Sequence, residues 1–152
     1  YNARANIMWA GTIAHNDLLH TGRVGDWASH NIEHELSGIY DVAHGAGLAI
    51  VFPAWMKYVY RHDVDRFVQF AVRVWGVEQD HYYPERTAIE GIRRLQEFFR
   101  QIGLPTTLRE AEIPDDRLEE MAVKCTANDT QPQGSFVQLG QADVLEILKL
   151  AR

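Results

Sequence analysis

The stretch His30-Asn31-Ile32-Glu33-His34 is followed ten residues later by His44, so three of the chain's seven histidines fall in one short block. Imidazole is the commonest protein metal ligand and the side chain most readily poised for proton transfer near neutral pH. His30 and His34 are spaced i, i+4. On a helix this puts both rings on one face, where they can converge on one ion or set a ligand beside a proton carrier. No Lys or Arg occurs from Ala28 to Trp55, and an environment free of cations suits the neutral imidazole that binds metal. Any one of the three histidines could be a buried structural residue. The three together define a candidate site.

The residues leave more than one chemistry open. His30 to His34 matches H-x-x-E-H, the inverzincin metalloprotease pattern, with Glu33 as the essential acid–base residue; that reading needs a further ligand from a downstream acidic helix. A helical interaction module with purely structural histidines is a second alternative. Glu35 and Asp41 could orient His34 or His44, or simply cap and solvate their helices.

The elements that must carry these residues read as helix almost throughout, and no segment sustains period-2 alternation. A first helix is expected from about Ala3 to Leu19. A second, capped by Asp26 or Ser29, carries His30 and His34 and stops near Gly38. His44 falls in a loop before Gly45-Ala46-Gly47, where a third helix begins that is apolar on nearly every side and contains Pro53, a predicted kink. Asp63 caps a fourth helix, and Pro84 opens a fifth that closes at Gly103. Pro114-Asp115-Asp116 reads as a helix start running to about Thr126. Asn128 to Gly140 reads as loop, and a closing amphipathic helix covers Asp143 to Leu150. The expected fold class is all-α, a single multi-helix domain over residues 1–152. Trp9, Trp27, Trp55, Trp75, Phe98 and Phe99 have core spacing, with Trp27 and Phe52 nearest the histidine block. His15, His20, His62 and His81 read as surface residues.

At 152 residues, with 46% hydrophobic and 24% charged side chains, the chain can bury a core as one domain. A net charge of −6 with dispersed basic residues argues against a nucleic-acid surface. One cysteine, Cys125, excludes an internal disulfide framework and a cysteine-based zinc site. No apolar run is long enough to span a membrane. The chain opens at Tyr1 in helical pattern without Met or a good N-cap, which leads us to expect an upstream portion.

His30…His34-Glu35-Leu36-Ser37…Tyr40-Asp41…His44-Gly45-Ala46-Gly47-Leu48-Ala49…Pro53 closely resembles the signature of the iron-containing (group III) alcohol dehydrogenases, nearest to their NAD(P)H-dependent butanol dehydrogenase branch. The likeness continues through Ala5 to Ala10, Gly25 to Ala28, Phe52 to Trp55, Trp75, Phe98-Phe99, Gly103-Leu104-Pro105 and Asp143 to Lys149, and so covers essentially the whole chain.

The resemblance implies that residues 1–152 are the C-terminal helical, dehydroquinate synthase-like domain. An N-terminal α/β dinucleotide-binding domain would lie upstream, outside this chain, with the active site in the cleft between the two. It implies one divalent metal, Fe2+ or Zn2+, held by an upstream Asp and His together with His30 and His44, which have the family's separation. His34 is then no ligand; it lines the cleft near the nicotinamide and is the candidate catalytic proton relay. The implied reaction interconverts small, butanol-like primary alcohols and aldehydes by hydride transfer with NAD(P)H. A homodimer and a cytoplasmic location are implied with it. Gly45-Ala46-Gly47 cannot serve as the dinucleotide phosphate loop, because no strand precedes it and the fingerprint is incomplete. The isolated chain is therefore expected to bind metal poorly and to be inactive.

Overall fold

A computed structural model describes residues 1–152 and contains seven α-helices and no strands. They are α1 (Asn2–His15), α2 (Ala28–Tyr40), α3 (His44–Val59), α4 (Val64–Trp75), α5 (Pro84–Gln101), α6 (Leu118–Cys125) and α7 (Gln141–Leu150), with 3-10 turns at Leu18–His20 and Tyr60–His62. The all-α expectation holds. α4 packs along α5, α2 along α3 and α6 along α7, while α3 joins the pairs by touching both α5 and α7. Ile32 and Leu36 of α2, Ile50 and Val51 of α3, Met121 of α6 and Ile147 and Leu148 of α7 are fully buried where these helices meet. Each such side chain contributes about 1.5–3 kcal/mol by leaving water.

Local signals explain most boundaries. The Asp63 carboxylate accepts the Arg66 amide at 3.1 Å and starts α4. Gly76, at φ 61°, ends α4 in the left-handed conformation that costs glycine nothing. Pro84 opens α5 as expected. α3 passes through Pro53 as one helix; the missing proline N–H is absorbed in a segment otherwise anchored by burial.

Four boundaries differ from the sequence expectation. α1 ends at His15, because Asn16 accepts the Leu18 amide at 3.2 Å and Asp17 adopts φ 64°; Asn and Asp offer the backbone an alternative to helix at such positions. α2 runs through Gly38 to Tyr40 and stops where Asp41 turns left-handed at φ 53°. His44 is the first residue of α3 rather than a loop residue, since the Ala43 carbonyl already accepts the Ala46 and Gly47 amides at 2.8 and 3.0 Å. α6 begins only at Leu118. Asp115 and Asp116 are drawn instead to Arg152 (3.1 Å) and to the Tyr40 hydroxyl (3.0 Å).

The core reading of the tryptophans holds for Trp55 and Trp75, which pack against the buried cluster. It fails for Trp9, which is 67% exposed on α1, a helix with no buried residue, and for Trp27 and Phe98, which are 47% and 41% exposed.

Candidate metal and proton-transfer site

The left-handed turn at Asp41 reverses the chain between α2 and α3 and brings the start of α3 back beside His30 and His34. His30 Nδ1 and His44 Nε2 lie 3.1 Å apart. The His34 and His44 rings, like the His30 and His44 rings, have centroids 5.2 Å apart. All three sequence-predicted site residues thus gather at one point. His34 and His44 face outward, and His30 is half-buried under the edge of Trp27, whose ring centroid is 4.9 Å away.

The electrostatics favour neutral imidazole at the centre. His30 is held below its ordinary value, first by burial and then by the neighbouring His44 and His34. The neutral ring carries the lone pair a metal needs.

Behind this row sits a residue whose place the sequence did not reveal. Glu33 is fully buried, and its two carboxylate oxygens are hydrogen-bonded by the Ser37 hydroxyl and by His44 Nδ1. Glu35 and Asp41, the carboxylates expected to orient the histidines, make no such bond; Asp41 spends its role on the turn. The clue available in the sequence was the i, i+4 spacing of Glu33 and Ser37 in a segment without cations. The protease reading fails on the same observation: a base that activates water must reach water, and Glu33 has no exposed surface.

The residues present fit part of a metal site. Two nitrogens 3.1 Å apart are spaced as two ligands each about 2.1 Å from one ion would be. Glu33, His34 and His44 also have donor atoms within 4.8 Å of one another. Because the Glu33 oxygens are occupied and buried, the imidazoles of the cluster are the groups able to reach an ion. The donor set is short of the usual four. A cavity of about 830 Å³ lies apart from the histidines, lined in part by Phe52, Trp55, Phe67, Phe70 and Phe136. Gly45-Ala46-Gly47 forms the first turn of α3, with Gly47 buried against Glu33.

This all-α frame with a histidine cluster on one edge has close counterparts. The model for the Fe-containing alcohol dehydrogenase family, C-terminal, matches residues 1–152. The chain belongs to the iron-containing alcohol dehydrogenase family and corresponds to the C-terminal part of its members. A probable NADH-dependent butanol dehydrogenase 1 of Bacillus subtilis is 44% identical over 149 residues, 98% of this chain and 38% of that protein. NADH-dependent butanol dehydrogenase A of Clostridium acetobutylicum is 43% identical over 152 residues, with the same coverage. The crystal structure of NADH-dependent butanol dehydrogenase A from Thermotoga maritima superposes with a TM-score of 0.92 at 42% identity, covering 99% of this chain and 39% of that one. The chain therefore spans well under half the length of the relatives it matches. No helix is long and apolar enough to cross a membrane.

Proposed function

We propose that the chain is the metal-binding, helical part of an NAD(P)H-linked alcohol dehydrogenase or aldehyde reductase acting on small primary alcohols and aldehydes. The observation that carries this reading is the 3.1 Å approach of His30 Nδ1 to His44 Nε2 in a chain of this family. The relatives that bear the name butanol dehydrogenase support the substrate class.

In this reading His30 and His44 hold one divalent ion, Fe2+ or Zn2+, with the remaining ligands and the dinucleotide supplied by a preceding α/β domain of the same protein. That ion supplies Lewis acidity, which lowers the energy of negative charge on the substrate oxygen. Alcohol oxidation removes a proton from oxygen and a hydride from carbon; the dinucleotide would supply the hydride acceptor, and the proton must leave the site. His34 is placed for the second task. It is exposed, with its ring centroid 5.2 Å from that of His44 and the planes tilted by 33°, so its ring can take a proton from the cleft and release it to water. His30 and His44 orient, and Trp27 covers the His30 ring on one side.

The exposed apolar residues Ile7, Met8 and Trp9 of α1 are the surface that the preceding domain would cover. In the full-length protein, His30→Ala and His44→Ala are expected to lose metal and NAD(P)H-dependent aldehyde reduction together. Full metal content in both variants would overturn the assignment.

A further inference from the structure

We propose that Glu33 is a positioning residue for His44: its buried carboxylate accepts the Nδ1 hydrogen of that imidazole and so presents the Nε2 lone pair toward His30 and the metal. This rests on the metal-site reading given above.

Glu33 is the one carboxylate among the buried residues. Burying such a group is costly unless its oxygens are hydrogen-bonded, and here both are. Oε1 is bonded by Ser37 Oγ and Oε2 by His44 Nδ1. Ser37 Oγ also lies 2.8 Å from the Val42 carbonyl, so its one hydrogen is shared between Glu33 and the segment leading into His44.

The facing helix is shaped around the carboxylate as well. A Cβ on Gly47 would sit 2.8 Å from both Cγ and Cδ of Glu33, closer than real Cβ atoms approach, so glycine is what admits the side chain. Residues on both helices therefore converge on one carboxylate whose only contact with the open face runs through His44.

The chemistry follows from the inventory of an imidazole. An ionised carboxylate can only accept, so the His44 nitrogen facing it carries the hydrogen, and the other nitrogen carries the lone pair. That other nitrogen, Nε2, is the one 3.1 Å from His30. A carboxylate behind a ligating histidine fixes its tautomer and ring orientation and raises its basicity; losing such a partner costs about 10–100-fold in metal affinity.

The test uses the full-length protein with Zn2+ as the probe. Three quantities are read in the wild type, Glu33→Gln and Glu35→Gln: the zinc dissociation constant by chelator competition, the His44 tautomer by 15N NMR of the metal-free protein, and the metal-free melting temperature. The expected result is a wild-type His44 protonated at Nδ1. Glu33→Gln should bind zinc about 10–100-fold more weakly and show a mixed tautomer, while Glu35→Gln should keep both wild-type values. A melting-temperature change in Glu33→Gln with zinc affinity and tautomer unaltered would make the residue structural only and overturn the proposal. If Glu33→Gln does not fold, the wild-type tautomer still decides: a hydrogen on Nε2 overturns it. Zinc binding that survives His44→Ala counts instead against the metal-site reading itself.

Discussion

Asp26 holds Phe136 by its backbone: Asp26 Oδ2 accepts the Phe136 amide at 2.7 Å across 110 residues of chain. The same oxygen accepts the Ser135 amide at 2.7 Å, and Oδ1 accepts the Ala28 amide at 2.8 Å. One carboxylate thus opens α2 just ahead of His30 and pins the loop before α7 to that point. Asp26→Ala would strand three amides, so a loss of about 1–3 kcal/mol is expected in denaturant unfolding of the metal-free protein. A loss below about 0.5 kcal/mol, the scale of an ordinary surface substitution, would mean that water replaces these bonds freely.

Gly91 is the tightest point of the α4–α5 pair. A Cβ there would lie 2.5 Å from the Ala71 Cβ and 2.8 Å from its Cα. Ala71 is fully buried and the clash includes backbone, so the helices must separate. Gly91→Ala should destabilise by about 1–3 kcal/mol even though alanine favours helix. A melting temperature at or above wild type would disprove the close packing.

Tyr58 and Asp143 link α3 to α7 and predict an alkaline weakness. The Tyr58 hydroxyl donates to Asp143 Oδ1 at 2.5 Å, and that bond, helped by burial, pushes the phenol up to about 12. In the unfolded chain the same phenol ionises near 10. Between those values the folded protein keeps a proton that the unfolded chain has lost, so this contribution is whole below about pH 10 and fades as pH rises toward 12. Tyr58→Phe should flatten the stability profile over that window. A variant with the wild-type slope would remove Tyr58 as its source.

His34 can be separated from its neighbours by what its removal spares. His34→Ala in the full-length protein should keep the metal and lower turnover by ~10²-fold or more, the ordinary contribution of a positioned acid–base group. Small added imidazole should restore part of the rate. Wild-type rates across the pH range would exclude the relay, and metal loss would make His34 a ligand.

The class of fold was legible because its signals are local. Asp63, Pro84 and Gly103 act on dihedrals and amides within one turn of themselves, so the start of α4 and the limits of α5 could be read directly. Where two local signals competed, the reading slipped: Asp115 and Asp116 look like helix caps, yet a distant arginine and tyrosine claim them. Core spacing likewise does not show whether anything covers a side chain, and Trp9 is exposed on a helix with no buried residue.

The same division runs through the site. That His30 and His34 share a face is a property of helical spacing and was settled by the sequence. That His44 returns to within 3.1 Å of His30 depends on the Asp41 turn and on the packing of α2 against α3. Tertiary structure alone chose Glu33 over Glu35 and Asp41 as the partner of His44. One residue's shift along a helix turns a carboxylate by about 100°, and only the opposing helix, with Gly47 leaving room, decides which direction is filled.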